Sequence, residues 1–98
     1  MINLARAKGN QDLYEEAFEL LEQVQQIWER IYPNDHPAKA FTLSALGRLQ
    51  AQQGNPDQAI HTQESALKMY VKLYGPKHPD VANTYFLIGS YYQQKAEF

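Results

Sequence analysis

The sequence predicts an all-α fold: antiparallel helix pairs stacked side by side as an α-α superhelix, a solenoid. Three observations predict it. The motif Tyr32-x3-His36-Pro37-x2-Ala40-x-Thr42-x4-Gly47 recurs residue for residue as Tyr74-x3-His78-Pro79-x2-Ala82-x-Thr84-x4-Gly89, 42 positions later. A fixed period of that order marks a stack of like units, none of which can bury its apolar face alone. Apolar residues recur at three- and four-residue spacing almost throughout, and no segment alternates in the manner of a strand. The prolines Pro33, Pro37, Pro56, Pro76 and Pro79 fall at the borders of the periodic stretches, where a missing N–H does no harm.

Taken in order, a stub helix is expected over about 2–8, closed by the turn chemistry of Gly9-Asn10. A second helix spans 12–31, with Tyr14, Ala17, Leu21, Val24, Trp28 and Ile31 on one face. Asn34-Asp35-His36-Pro37 opens a third over 37–53, carrying Ala40, Leu43, Leu46, Leu49 and Ala51. Gly54-Asn55-Pro56-Asp57 interrupts the pattern and starts a fourth over 56–73, carrying Ala59, Ala66, Met69, Tyr70 and Leu73. A fifth runs over 79–95 with Val81, Tyr85, Ile88 and Tyr92. Asp35 and Asp57 are expected near helix N-termini, where the macrodipole favours an acid by about 0.3–1 kcal/mol. Gly47 and Gly89 fall inside helices, where glycine costs about 1 kcal/mol relative to alanine. Close approach of a partner helix is expected to offset that cost.

The 98 residues allow one small domain, and a 44% hydrophobic fraction is ordinary for a globular chain. Nine basic and 11 acidic side chains give a net charge of −2, no whole-chain bias toward nucleic acid or an anionic membrane. Between 12 and 31, Asp12, Glu15, Glu16, Glu19, Glu22 and Glu29 stand against Arg30 alone, the pattern of a solvated helix face or of a docking surface for a basic partner. The chain has no cysteine, which excludes disulfides, thiolate metal sites and thiol nucleophiles, and suits a cytoplasmic setting. No apolar run approaches the roughly 20 residues that cross a bilayer.

Tyr85-x2-Ile88-Gly89-x2-Tyr92 and Leu43-x2-Leu46-Gly47, followed by Ala17-x3-Leu21 and by Ala59 at the equivalent place, resemble the tetratricopeptide repeat. The 42-residue spacing, longer than that family's usual 34, and Gly75-Pro76-Lys77-His78-Pro79-Asp80-Val81-Ala82 resemble its kinesin light chain type. Where that type carries an asparagine pair, this chain has Ser44-Ala45 and Phe86-Leu87. On this resemblance residues 1–98 form one domain: a partial repeat over about 2–31, a full repeat over about 37–73 and a lone first helix over about 79–95. Gly9 lies eight residues before Ala17, against five between Gly54 and Ala59, so the first unit is read as carrying a three-residue insertion in its turn.

The resemblance further implies that the first helix of each pair lines a concave surface. The groove positions carried over are Phe41, Ser44, Arg48, Ala51 and Gln52 from one such helix, and Asn83, Phe86, Ser90, Gln93 and Gln94 from the next. Amide side chains can pair with a peptide backbone whatever its sequence. Phe41 and Phe86 could seat apolar anchors, and Arg48 could grip a carboxylate. The expected function is a non-catalytic scaffold or adaptor module that holds a protein or peptide ligand. The alternative is a structural array whose terminal helices mediate homo-oligomerisation. Ends of such stacks need polar capping faces, and Tyr85, Ile88 and Tyr92 on the last helix are the expected self-association residues.

Other signals point to packing. His36 and His78 precede prolines at equivalent places, which suits helix entry, and His61 stands alone on a helix. No catalytic motif, metal-ligand spacing or phosphate-binding glycine loop is present, so no catalytic residue, metal or cofactor is assigned. The seven tyrosines and Trp28 lie at helical core spacing without the basic stripe that nucleic-acid binding would need.

Overall fold

A computed structural model describes the backbone of residues 2–97 and the side chains of residues 13–97. Four helices follow one another: α1 (Ile2–Ile31), α2 (Pro37–Gln52), α3 (Pro56–Tyr74) and α4 (Pro79–Ala96). Among the described residues there is no strand. The break expected at Gly9-Asn10 does not occur, and the stub and the second helix are one element. The three residues read as a turn insertion therefore lie within helix. One glycine in a helix interior costs only about 1 kcal/mol, too little to end a helix flanked by good helix formers such as Ala5, Arg6, Ala7 and Lys8 before it and Glu15, Glu16 and Ala17 after it. The side chains of Asn10 and Asp12, and Phe98 altogether, lie outside the described residues.

The two copies of the Tyr-x3-His-Pro motif build the same corner. His36 takes extended backbone angles (φ −152°, ψ 145°) and caps α2 by accepting the Ala38 N–H at Nδ1, 3.0 Å away. His78 caps α4 in the same way through the Asp80 N–H, also at 3.0 Å. A proline follows each cap at the first helical position, where its fixed φ suits the helix. The tyrosine four residues earlier lies flat on each imidazole: Tyr32 on His36 at 3.6 Å between centroids, Tyr74 on His78 at 3.9 Å. A third ring follows each pair: Trp28 lies 5.5 Å from Tyr32, tilted by 38°, and Tyr70 stacks on Tyr74 at 6.1 Å. Thr42 and Thr84 close the first turns by donating to the carbonyls of Ala38 and Asp80. At the first corner alone, the Trp28 indole N–H donates to the Thr42 hydroxyl at 2.9 Å and the Lys39 ammonium donates to the Asn34 carbonyl at 3.2 Å.

The other turn, between α2 and α3, is glycine-made. Gly54 adopts φ +86°, a region open to glycine without a Cβ penalty, and α3 then starts on Pro56 with Asp57 in its first turn. Gly75, at φ +86°, ends α3. Asp35, by contrast, precedes the cap of α2 and pairs with Lys72 at 3.3 Å instead of entering the first turn. Lys39–Glu29 at 3.2 Å and Lys95–Asp57 at 2.7 Å also tie elements together on the surface.

Each helix packs on its successor. Ala40 at the start of α2 shares a cluster with Tyr70 near the end of α3, while Ala51 at the end of α2 meets Ala59 at the start of α3, so the two run antiparallel. Ala40, Ala59 and Ala66 are wholly buried. Their methyl groups let helix axes approach within the roughly 8–10 Å of close packing. The molecule measures 49 × 35 × 18 Å, about two helix diameters thick. Its radius of gyration of 15.0 Å exceeds the roughly 12.6 Å of a compact domain of this length, as a slab-like stack should.

The two in-helix glycines part company. A Cβ added to Gly47 would lie 2.8 Å from Gln63 Nε2 and 3.1 Å from its Cγ. Gln63 is wholly buried and donates to the Ser44 carbonyl at 2.9 Å, while its Oε1 has no partner. The neighbour that Gly47 admits is thus a side chain, not the expected backbone. At Gly89 an added Cβ meets nothing within 4 Å among the described residues, which show no close approach there of the kind expected. The side of α4 that corresponds to the α3-facing side of α2 has no helix against it among the described residues.

Candidate functional site

α2 and α4 lie side by side on one face of the slab, linked where the Gln94 amide donates to the Ala51 carbonyl at 3.1 Å. Their facing residues arise from helical spacing: Arg48, Ala51 and Gln52 on α2, and Leu87, Tyr91 and Gln94 on α4. These six enclose an open cleft of about 390 Å³. Its floor is the buried Tyr91 ring, packed on Ala51, Ala59 and Ile60, with Leu87 beside it. Arg48 and Gln52 stand exposed at the rim. Burial pushes the Tyr91 phenol above its ordinary value, against the opposing effects of the Gln63 amide and the Arg48 charge. The cleft therefore combines an aromatic and aliphatic floor, amide groups that can donate and accept, and one permanent cation.

Of the expected groove residues, the structure brings Arg48, Ala51, Gln52 and Gln94 to this cleft. Phe41 and Phe86 project into solvent with 65% and 71% of their surface exposed, outside it. Asn83 and Gln93 are exposed, and Ser90 donates its hydroxyl to the Phe86 carbonyl of its own helix at 3.0 Å. Ser44 is buried, with 6% exposure, so its side chain is not offered to a ligand. Leu87 and Tyr91 were missed. The spacing 87–91–94 on α4 puts them on one face with Gln94, beside the face of Val81, Tyr85, Ile88 and Tyr92 that the periodicity picked out.

The residues expected to associate with another copy divide as well. Tyr85 and Tyr92 are exposed at 58% and 53%, while Ile88 is half-buried against Ala51, Ile60 and Tyr91. The paired histidines act as helix caps, the entry role their place before proline implied. His61 is exposed on α3. No described helix is long and apolar enough to cross a membrane, and among the described residues no cluster of His, Asp and Glu could hold a metal ion.

Two stretches of the sequence, residues 1–72 and 51–98, match the family model for the tetratricopeptide repeat. Compared with the curated proteins, the chain finds no match.

Proposed function

From the premise that this chain belongs to the tetratricopeptide repeat family, whose repeats are generally protein-interaction modules, we propose that it is a non-catalytic adaptor. It holds an extended peptide in the groove between α2 and α4. The observation that carries this reading is the cleft in which Arg48 stands over an apolar floor made by Leu87 and Tyr91. A guanidinium grips a carboxylate through two parallel N–H donors, and the floor removes an adjacent apolar side chain from water. The preferred ligand is an extended segment with an acidic residue beside an apolar one. Gln52 and Gln94 serve its backbone, and Phe41, Asn83, Phe86, Ser90 and Gln93 extend the contact beyond the cleft. The 42-residue spacing and the paired His-Pro corners support membership of the kinesin light chain type, and the cysteine-free composition suits a cytoplasmic setting.

The test is a pull-down from lysate of the source cells with the wild-type chain and with Arg48→Glu, retained proteins being identified by mass spectrometry. Peptides spanning each captured protein are then titrated against both chains. A ligand whose affinity falls at least tenfold on charge reversal, and whose own acid-to-amide variant weakens equally, supports the groove. Equal binding by both chains removes it.

A further inference from the structure

In the 42-residue register, α1 and α3 are equivalent second helices of a pair, and α2 and α4 are equivalent first helices. Among the described residues, α2 and α3 are mated with each other as first and second helix of one pair. Among the described residues, α4 has no second helix on its far side and α1 has no first helix. The faces left open can be read from the mated pair. The Thr62 hydroxyl donates to Gln50 Oε1 at 2.7 Å, Met69 packs in the cluster with Leu43 and Ala40, and Gln63 fills the notch at Gly47. The equivalents on α1 are Leu20, Ile27 and Leu21, and those on α4 are Tyr92, Tyr85 and Gly89.

At one of these three contacts both sides differ together, from polar to apolar, and the other two stay apolar or keep the glycine. The polar pair Thr62–Gln50 corresponds to the apolar pair Leu20–Tyr92. Met69–Leu43 corresponds to Ile27–Tyr85, and Gln63 over Gly47 to Leu21 over Gly89. Leu13, Leu20, Ile27 and Ile31 form one stripe on α1 at seven- and four-residue spacing, each at least half exposed. Tyr85 and Tyr92 are equally open on α4, and beside them Leu67, Val71 and Tyr85 line a trough of about 540 Å³ between α3 and α4. These two helices carry most of the large exposed apolar side chains among the described residues, Phe41 and Tyr74 standing apart. Each face thus offers exposed apolar side chains at the places where the mated pair's register puts those of the other.

We infer that α4 of one copy of this chain mates with α1 of a second copy as α2 mates with α3, so that copies add head to tail. The interface is heterologous: each copy offers two different faces, and association is open-ended unless the superhelix closes on itself. One position is mismatched. Lys72 pairs with Asp35 within the chain, and the equivalent pair between copies is Arg30 with Lys77, two like charges. This interface is separate from the α2–α4 cleft and does not depend on what that cleft binds.

The experiment is sedimentation of the 98-residue chain between about 1 μM and 1 mM, with Leu20→Glu and Tyr92→Glu as variants. Both substitutions fall on exposed positions, and circular dichroism checks that each variant keeps its helices. The wild-type mass should rise continuously with concentration. Each variant alone should stay monomeric, because each has lost one of the two faces. An equimolar mixture should form a dimer and nothing larger, because the intact α4 face of Leu20→Glu meets the intact α1 face of Tyr92→Glu. Lys77→Asp should tighten association roughly two- to fivefold by restoring the equivalent of the Lys72–Asp35 pair. Arg48→Glu, which defines the peptide groove, should leave it unchanged. A wild-type chain monomeric at 1 mM, a variant that still dimerises alone, or a mixture that remains monomeric would each overturn the inference.

Discussion

The amide of Gln63 occupies the space that the missing side chain of Gly47 leaves, 2.8 Å from where a Cβ would sit. Helix glycine costs about 1 kcal/mol against alanine in isolation, yet here the gain from Gly47→Ala is outweighed. Gln63 is wholly buried and bonded to the Ser44 carbonyl, so it has nowhere to swing. Gly47→Ala is expected to lower stability by about 1–3 kcal/mol, as overpacked sites do. Gly89→Ala, which meets open space, should raise it by up to about 1 kcal/mol. Urea denaturation of the two variants at low micromolar concentration decides this, and equal effects would refute the asymmetry.

Thr42→Val and Thr84→Val should also differ. Both threonines donate to the carbonyl four residues back, but Thr42 alone accepts the Trp28 indole N–H. Removing the hydroxyl there strands a partly buried donor, a loss of about 1–3 kcal/mol. Thr84→Val should cost less by at least half. Thermal unfolding of both, with Trp28 fluorescence reporting the first corner, is the check.

The histidine caps need an acceptor at Nδ1. His36→Ala should cost about 0.5–2 kcal/mol for the lost cap. Stacking on Tyr32 should add to that, by about 0.5–1.5 kcal/mol on the scale of aromatic pairs. His36→Asn restores an acceptor without the ring and should recover the cap term alone. A double-mutant cycle with Tyr32→Ala separates the two terms. No coupling between Tyr32 and His36 would mean that the stack is incidental.

Alkaline pH should weaken the fold. Burial is the main cause that raises the phenols of Tyr70 and Tyr91 above 10.0. The folded state therefore holds these protons more tightly than the unfolded one. The stability they confer is complete below about pH 10 and is lost as pH rises through the folded values. Stability measured by urea at pH 9 and pH 11 should fall more for the wild type than for Tyr91→Phe. Parallel losses in the two proteins would show that Tyr91 does not contribute.

Ala59 is wholly enclosed between helices, and Ala59→Leu should cost about 1–3 kcal/mol through overpacking. An unchanged urea midpoint would contradict the close approach of α2 and α3 at this point.

Local sequence determined much of this protein. The recurrence of Tyr, His, Pro, Thr and Gly at fixed offsets determined the period, the helix borders from Pro37 onward and the identity of the two corners, because caps, prolines and glycine turns act within a few residues of chain. Arg48 and Gln52 were expected beside a groove from the resemblance to the repeat family, and their four-residue spacing puts them on one face of α2. Tertiary structure decided the rest. Only packing against α3 makes Gly47 tight while the same glycine at position 89 stands open, and only the approach of α4 to α2 turns Leu87 and Tyr91 into the floor of a cleft. It also buries Ser44, whose sequence neighbours say nothing of it. The continuity of α1 through Gly9-Asn10 was misread because turn-forming residues express that preference only when the flanking helical residues do not outweigh it. Periodicity gives a residue its face, but the neighbour that the face meets depends on which helices come together in space.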